Sequence, residues 1–231
     1  MIFAAIVVAA GSGVRFGRQK QLVEVAGRPL VAWCLATFGA MAELGELVIA
    51  TEEEHLTTMA DLARTYAPTL PATVVRGGAT RQGSVRNALA AVSLACDAVF
   101  VHDGARPLVR VADIRAAMAL VAPGTGALLA APVVDTIKVV AADHATVLRT
   151  LDRSELWAAQ TPQFGTLADL RAAHAVAERA GDEATDDAML LERAGHRVVV
   201  VRSSGENFKV TMSADRDLAE TILRERAMVA P

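Results

Sequence analysis

Short apolar runs alternate along the first part of the chain with segments whose apolar residues recur every three or four positions. The runs cover residues 4–10, 46–51, 72–77, 97–102 and 126–134. Near-continuous apolar runs are typical of parallel strands that are buried on both faces. The spacing in the intervening segments is typical of amphipathic helices. This alternation predicts an α/β fold with a mostly parallel central sheet and helices on both of its faces.

The pattern changes near residue 132. Residues 132–153 alternate apolar and polar positions on either side of the turn sequence Asp143-His144-Ala145, with no helical spacing between them. Two such segments joined by a short turn predict a protruding β-hairpin arm at about residues 133–153. Two helices, a strand and a closing helix are expected after it. Neither a linker nor a low-complexity segment divides the chain, so we expect a single domain over residues 1–231.

Composition excludes several classes of protein. Of the 231 residues 53% are hydrophobic, and the formal net charge is -3. No apolar run approaches the roughly 20 residues that a membrane helix needs, and no cationic segment precedes the N-terminal apolar run as in a signal peptide. We therefore expect a cytoplasmic protein without a membrane span. Nucleic-acid binding needs a basic face, which this charge does not suggest. Cys34 and Cys96 each stand alone in apolar surroundings and are expected to be reduced core residues.

The loop after the first predicted strand, "AAGSGVRFGRQKQ" at residues 9–21, is rich in glycines and cations. They are Gly11, Gly13, Gly17, Arg15, Arg18 and Lys20. The match to a dinucleotide-binding turn is weak, because the next helical pattern begins only near Pro29 and the cations exceed what a pyrophosphate needs. Cations in this number suit a triphosphate and a transition state with charge on phosphorus. The alternative is a tight turn with solvated basic residues.

Two further clusters follow predicted strands, where ligands of open α/β sheets bind. In "VHDGARP", residues 101–107, Asp103 stands beside Gly104 and Arg106 and suits a ribose hydroxyl or a magnesium ion shared with phosphates. Asp103 alone also fits a turn or helix cap, and His102 is as consistent with a structural role as with a functional one. In "GGATRQGSVRNAL", residues 77–89, backbone N–H groups and the Ser84 hydroxyl suit a base edge or phosphate, or only cap a helix.

Taken together, the motifs resemble those of the 2-C-methyl-D-erythritol 4-phosphate cytidylyltransferases, over nearly the whole chain. They are "AAGSGVRF", "GGATRQGSV", "VHDGARP", "PVVDTIK", "LDRSELWAAQTPQ", "ATDDAMLLE" and "NFKVT". The resemblance implies a Rossmann-like nucleotidyltransferase fold and a defined reaction. The 4-phosphate of 2-C-methyl-D-erythritol 4-phosphate attacks the α-phosphorus of CTP with Mg²⁺ bound. Pyrophosphate leaves, and 4-diphosphocytidyl-2-C-methyl-D-erythritol is formed for non-mevalonate isoprenoid biosynthesis.

The resemblance also implies roles for individual residues. The catalytic cations would be Arg15, Lys20 and Lys209. The nucleotide would be held by Ala9, Ala10, Gly11, Gly13, Gly77, Gly78, Ser84, Asp103 and Gly104. The phosphosugar would be bound by Arg106, Thr136, Arg153, Thr161 and Thr185. Asp103 is the candidate ligand of Mg²⁺. The arm crosses to a partner subunit in this family, which implies a homodimer in which Thr136 and Arg153 serve the neighbouring site.

The sequence departs from the family pattern in its opening loop, which is a residue or two short. Val8 and Gln19 stand where proline is usual, and Gly104 stands where alanine is common. Three alternatives remain open at this point. The first is a cytidylyltransferase for another polyol phosphate, such as ribitol 5-phosphate, and the second is a sugar-phosphate or molybdopterin nucleotidyltransferase. The third is a nucleotide-binding regulator without catalysis, against which the presence of both Lys20 and Lys209 argues.

Overall fold

The computed structural model describes residues 1–11 and 20–229, and its strands and helices alternate through most of that range. The strands are β1 (Phe3–Val8), β2 (Glu24–Val25), β3 (Arg28–Pro29), β4 (Leu44–Thr51), β5 (Ala72–Arg76), β6 (Ala98–Asp103), β7 (Thr125–Pro132), β8 (Lys138–Val140), β9 (Val147–Thr150), β10 (Trp157–Thr166) and β11 (Arg197–Arg202). The helices are α1 (Leu30–Gly39), α2 (Leu56–Tyr66), α3 (Arg81–Ala91), α4 (Val111–Met118), α5 (Leu167–Ala180), α6 (Asp187–Arg193) and α7 (Ser213–Val229). None of these described helices is long and apolar enough to cross a membrane.

The central sheet has the strand order β11-β7-β10-β6-β1-β4-β5 among the described residues. Strand β10 is antiparallel to both of its neighbours, whereas the other neighbouring pairs run parallel. The predicted α/β fold with a mostly parallel sheet is therefore confirmed. Its extent as one domain over residues 1–231 stays a prediction.

The apolar strands are buried on both faces, as their near-continuous hydrophobicity predicts. In β1, the side chains of Ala5 and Val7 join a core with α1, α2 and α4. Ala4 and Ile6 of the same strand join the opposite core with α3, α5 and α6. Helices consequently cover both faces of the sheet. A third, smaller cluster packs α7 over β2 and the start of α1, near Val25.

The order of the strands places a crevice beside the end of β1. From β1 the chain moves to β4 and β5 on one side, and then crosses through α3 to β6 on the other side. Because β1 and β6 are parallel and Val8 pairs with Asp103, the carboxyl ends of the two strands lie side by side. In open α/β sheets ligands bind outside such a switch point.

The hairpin arm is present, and none of its residues 133–153 is buried. Strands β8 and β9 pair in antiparallel fashion with a register shift after Val139. All four residues of β9 are exposed. The fold class predicted from the sequence, arm included, is thus confirmed.

The hydrophobic pattern did not identify β10. This strand lies between β6 and β7 and pairs with both. Its first three residues are exposed, and its buried residues include Gln160, Thr161 and Gln163. It therefore has neither the continuous apolar run of a parallel strand nor a regular alternation of apolar and polar residues. Its place in the sheet is determined by the neighbouring strands.

Candidate active site

Two adjoining cavities open at the carboxyl ends of β1, β4, β5 and β6. The larger, of about 690 Å³, is lined by residues at the ends of β1, β4 and β5 and by the start of α3. The smaller, of about 120 Å³, lies among Lys20, Asp103 and Lys209. Ala10, Gly11 and Arg81 line both cavities. Both cavities contain charged residues, and the smaller one has three cationic residues and one carboxylate, a balance that suits phosphates.

Backbone segments approach one another closely around the larger cavity. A Cβ at Gly77 would lie 2.5 Å from the Cβ of Ala10, so only glycine allows the loop after β5 to meet the loop after β1. A Cβ at Gly78 would lie 2.6 Å from the carbonyl carbon of Gly83. The Gly11 amide donates to Glu52 Oε1 at 2.6 Å. Small residues of the two loops thus form one part of the cavity lining, and charged residues of β4, β5 and α3 or the turns beside them contribute to the rest.

Ser84 supports this loop from within α3. Its hydroxyl accepts from the Gly78 amide at 3.0 Å and donates to the Thr80 carbonyl at 2.9 Å. Thr80 caps α3, with its side chain accepting from the Gly83 amide at 3.0 Å. Ser84 therefore lines the cavity and also holds its glycine loop in place.

Ala9 and Gly104 lie at the base of the crevice. The Ala9 amide donates to the Ala50 carbonyl at 2.8 Å, and the Gly104 amide donates to the Val8 carbonyl at 2.9 Å. A Cβ at Gly104 would lie 3.2 Å from both Val7 and Val31. Gly104 thus relieves a tight contact at this point.

Asp103 is surrounded by three cationic side chains. Its Oδ2 accepts from Lys209 Nζ at 2.8 Å, and its Oδ1 accepts from Arg81 Nε at 3.2 Å. Arg106 Nε lies 3.8 Å from Oδ2. Burial alone would raise the pKa of the carboxyl, but the charges of Arg81, Lys209 and Arg106 outweigh burial and hold the pKa well below its usual range. Asp103 is therefore ionised at neutral pH.

A buried hydrogen-bonded chain fixes the end of β6. The Asp103 amide donates to Thr161 Oγ1 at 3.0 Å, and Thr161 Oγ1 lies 3.2 Å from His102 Nδ1. His102 Nε2 lies 3.0 Å from the Arg106 carbonyl oxygen. Burial lowers the pKa of His102 to about 4, so the ring is neutral near pH 7. A proton on Nε2 satisfies both contacts of the ring, which gives His102 a structural role. Thr161 in turn holds Asp103 in place.

Positive charge exceeds negative charge in the smaller cavity. Lys20 begins a short 3-10 turn, Lys20–Leu22, and lines this cavity together with Lys209 and Arg81. Arg106 Nη1 donates to the Asn207 carbonyl at 2.7 Å, while its buried Nε has no hydrogen-bond partner among the described residues. Several cations around one carboxylate suit a polyanion.

Some predicted site residues lie away from these cavities. Thr136 and Arg153 are exposed at the base of the arm, and Arg153 Nη1 donates to the Val134 carbonyl at 2.8 Å. Thr185 is exposed in the connection between α5 and α6. Within one subunit the structure does not bring Thr136 or Arg153 to the cavity lining. Gly13 and Arg15 lie outside the described residues, as do Gly17, Arg18 and Gln19.

Sequence reasoning missed Arg81, which connects the site to α6. Its Nη1 donates to Asp187 Oδ2 at 2.8 Å, and Asp187 Oδ1 lies 3.1 Å from His174 Nε2. Burial would lower the pKa of Arg81, but the charges of Asp187 and Asp103 overcome this and raise it. A signal was present in the sequence. Arg81 is the first residue of α3, where the helix dipole disfavours a cation, so a carboxylate partner was to be expected.

The fold, with a cavity and a group of cations at its switch point, is that of an α/β nucleotidyltransferase. The model of the IspD family, 2-C-methyl-D-erythritol 4-phosphate cytidylyltransferase, matches residues 3–225. The chain belongs to this family, as the sequence motifs predict.

Individual relatives agree with the family match. Proteins with the same name from Parasynechococcus marenigrum and Halalkalibacterium halodurans are 43% and 40% identical to this chain. The alignments cover 96% and 98% of this chain, and 97% and 99% of the relatives. The crystal structure of 2-C-methyl-D-erythritol 4-phosphate cytidylyltransferase from Thermus thermophilus is 34% identical, with a TM-score of 0.75. That comparison covers 97% of this chain and 100% of the other.

Proposed function

We propose that the cations around Asp103 catalyse the transfer of the cytidylyl group of CTP to 2-C-methyl-D-erythritol 4-phosphate by direct in-line attack. An oxygen of the 4-phosphate forms a bond to the α-phosphorus of CTP as the bond from that phosphorus to the bridging oxygen breaks. Pyrophosphate leaves with the electron pair, and 4-diphosphocytidyl-2-C-methyl-D-erythritol is formed. The observation that carries this proposal is the group of three cations around Asp103, with Lys20 in the lining of the same cavity; the three are Arg81, Arg106 and Lys209.

The reaction needs no general base from the protein. A phosphate monoester has its second pKa near 6, so the attacking group is already ionised at neutral pH. His102 is buried and satisfied within the fold, which agrees with this view. What the reaction needs is the alignment of two anions that repel each other, and neutralisation of the charge that develops on phosphorus. Lys20, Lys209 and Arg15 are the residues we assign to that task.

The larger cavity is our candidate for the cytidine. Its lining supplies backbone groups from Ala10, Gly11, Gly77 and Gly78. Choosing cytosine over uracil requires acceptors for the exocyclic amine, and peptide carbonyls at closely packed glycines can meet that need. We assign the ribose and the first phosphate to the boundary between the cavities, next to Asp103.

Mg²⁺ fits this site as an ion bound to the phosphates of the nucleotide. The described residues contain no cluster of three or more His, Cys, Asp or Glu side chains suited to a metal ion. Asp103 supplies one carboxylate, and both of its oxygens already accept from cations. Mg²⁺ commonly uses one or two carboxylates together with substrate phosphates and water. When bound, it would be held mainly by the CTP phosphates and would neutralise their charge, with Asp103 as the candidate protein ligand.

The acceptor site is proposed to be completed by a second subunit. Thr136 and Arg153 belong to the arm, and the described arm region carries exposed apolar side chains. Among them are Val134, Val140, Val147 and Leu148. Apolar side chains grouped on a protruding hairpin favour burial against another chain. We therefore propose a homodimer in which each arm reaches the partner's phosphosugar site. Arg106 and Thr185 of that subunit would also contribute, and Thr161 would act by holding Asp103 in place.

Pyrophosphate release tests this function directly. The purified protein is assayed with Mg²⁺ and CTP, and with 2-C-methyl-D-erythritol 4-phosphate or ribitol 5-phosphate as acceptor; UTP and ATP replace CTP in parallel. We expect rapid release only with CTP and the methylerythritol substrate. Release only with ribitol 5-phosphate would move the acceptor assignment to the other polyol phosphate. Binding of CTP without release for any pair would support a non-catalytic regulator.

A further inference from the structure

Two neighbouring side chains at the start of α3 hold the connection between α5 and α6. Gln82 Nε2 donates to the Asp182 carbonyl at 3.1 Å, and Gln82 Oε1 accepts from the Ala184 amide at 2.9 Å. Arg81 holds the far end of the same connection through Asp187. Thr185 lies between these two points of attachment. The segment that carries Thr185 is thereby tied to the helix that follows the nucleotide loop.

The two attachments differ in what else supports them. Asp187 is 1% exposed, and its amide donates to Gln163 Oε1 at 2.8 Å in addition to its contacts with Arg81 and His174. If one of these partners is removed, the others still hold Asp187. The segment 182–184 lies at the surface, where Arg193 Nη1 also donates to the Glu183 carbonyl at 3.2 Å. Gln82 supplies two of the side-chain hydrogen bonds to residues 182–184.

Gln82 reaches the connection without lining either nucleotide cavity. It follows Arg81 directly, and its amide group uses both its donor and its acceptor on the backbone of the connection. A side chain in this position can affect the connection that carries Thr185 while leaving the contacts to the nucleotide intact. Its neighbours in sequence, Arg81 and Ser84, do line the larger cavity.

We propose that Gln82 is a positioning residue for the phosphosugar, because it fixes the backbone of residues 182–184 and so the placement of Thr185. The inference rests on the proposed function, in which Thr185 binds the acceptor. Without Gln82 the connection gains conformational freedom, and the phosphosugar must order it on binding. This loss of conformational entropy should lower the affinity for the phosphosugar and leave the affinity for CTP unchanged.

The test is a comparison of Gln82→Ala with the unmodified protein. We expect the KM for 2-C-methyl-D-erythritol 4-phosphate to rise about tenfold, the effect of losing two modest hydrogen bonds. The Kd for CTP, measured by calorimetry with Mg²⁺, should stay within about twofold. Gln82→Glu keeps the acceptor for the Ala184 amide but sets a carboxylate against the Asp182 carbonyl, so an increase in KM is expected for it too.

Asn87→Ala is the matched control. Asn87 lies on the same helix, and its Nδ2 donates to the Arg76 carbonyl at 3.1 Å, so the variant also loses an amide contact to backbone. That contact does not reach residues 182–187, and the KM for the phosphosugar should not change.

The outcomes separate this inference from the proposed function. An unchanged KM in a folded Gln82→Ala protein would overturn the positioning role. A parallel rise in the Kd for CTP would overturn it too, since Gln82 would then belong to the nucleotide site. A lowered melting temperature with unchanged kinetics would leave only a structural contact. If the unmodified protein releases no pyrophosphate with this acceptor, the proposed function fails and the inference fails with it.

Discussion

Lys20 is the residue at which binding and catalysis should separate most clearly. It lines the smaller cavity with Asp103 and Lys209. A cation aligned with developing charge acts mainly in the transition state. We predict that Lys20→Ala lowers kcat about 100-fold or more, while the Kd for CTP rises far less. Single-turnover pyrophosphate release and calorimetric titration with CTP measure the two quantities.

Lys20→Arg is the conservative comparison, because it keeps the charge on a side chain of similar reach. It should retain more activity than Lys20→Ala. Equal losses in kcat and in CTP affinity for Lys20→Ala would assign the residue to ground-state binding instead.

Asp103 should couple the stability of the site to pH. Its folded-state pKa is depressed by Arg81, Lys209 and Arg106, so its ionic contacts stabilise the fold fully above its unfolded pKa of about 3.9. That stabilisation is lost as the pH falls below this value toward the folded pKa. We predict that Asp103→Asn lowers the free energy of unfolding by about 2 kcal/mol at pH 7. The Lys209 side chain is partly exposed, so solvent screens its contact with Asp103 and limits the expected loss of stability.

Urea unfolding of both proteins between pH 7 and pH 3 checks this prediction. The difference between Asp103→Asn and the unmodified protein should shrink below about pH 4. A difference that stays constant over the whole range would mean that the charge of Asp103 does not produce it.

Part of the site was predictable residue by residue, and part was not. Asp103 stands out because it ends an apolar strand, and the end of such a strand is where ligands of this fold class lie. Arg81 does not stand out in the same way, since its partner Asp187 is 106 residues away. No local pattern relates the two. The predicted roles of the site residues themselves stay predictions.

At the scale of elements, the extent of burial explains which strands could be predicted from the sequence. Strand β1 is apolar throughout, and β4 and β6 each contain an apolar run, because helices cover both faces of the sheet. Strand β10 has exposed residues at its start and hydrogen-bonded polar residues in its buried half, such as Gln163. Its pairing with β6 and β7 is a tertiary interaction, which local propensity does not contain.

A substitution in the arm should affect binding of the phosphosugar and leave binding of CTP unchanged. Arg153 is exposed, is anchored by the Val134 carbonyl, and lines neither cavity of its own subunit. We predict that Arg153→Ala raises the KM for the phosphosugar about tenfold or more, as expected for the loss of a charged contact to phosphate. The Kd for CTP should remain unchanged. A raised Kd for CTP would mean that Arg153 has been assigned to the wrong substrate.

At the scale of the whole molecule, the positions of Lys20 and Arg153 make a dimer a functional requirement of the proposal. Lys20 lies at the crevice beside β1, whereas Arg153 lies at the base of the arm. In the proposal one acceptor site uses both residues, and the arm of a second copy supplies Arg153. Closed two-fold symmetry would then give two equivalent sites, each built from both chains.

Mixed dimers test this arrangement. Lys20→Ala and Arg153→Ala chains carrying different tags are co-expressed, and heterodimers are isolated by two successive affinity steps. One site of the heterodimer then combines an intact Lys20 with an intact Arg153 from the partner, while the other site lacks both. At low phosphosugar concentration, where either homodimer is slow, the heterodimer should recover about half of the unmodified rate. If Arg153 served its own subunit, each site would lack one residue, and verified heterodimers would be as slow as the parent homodimers.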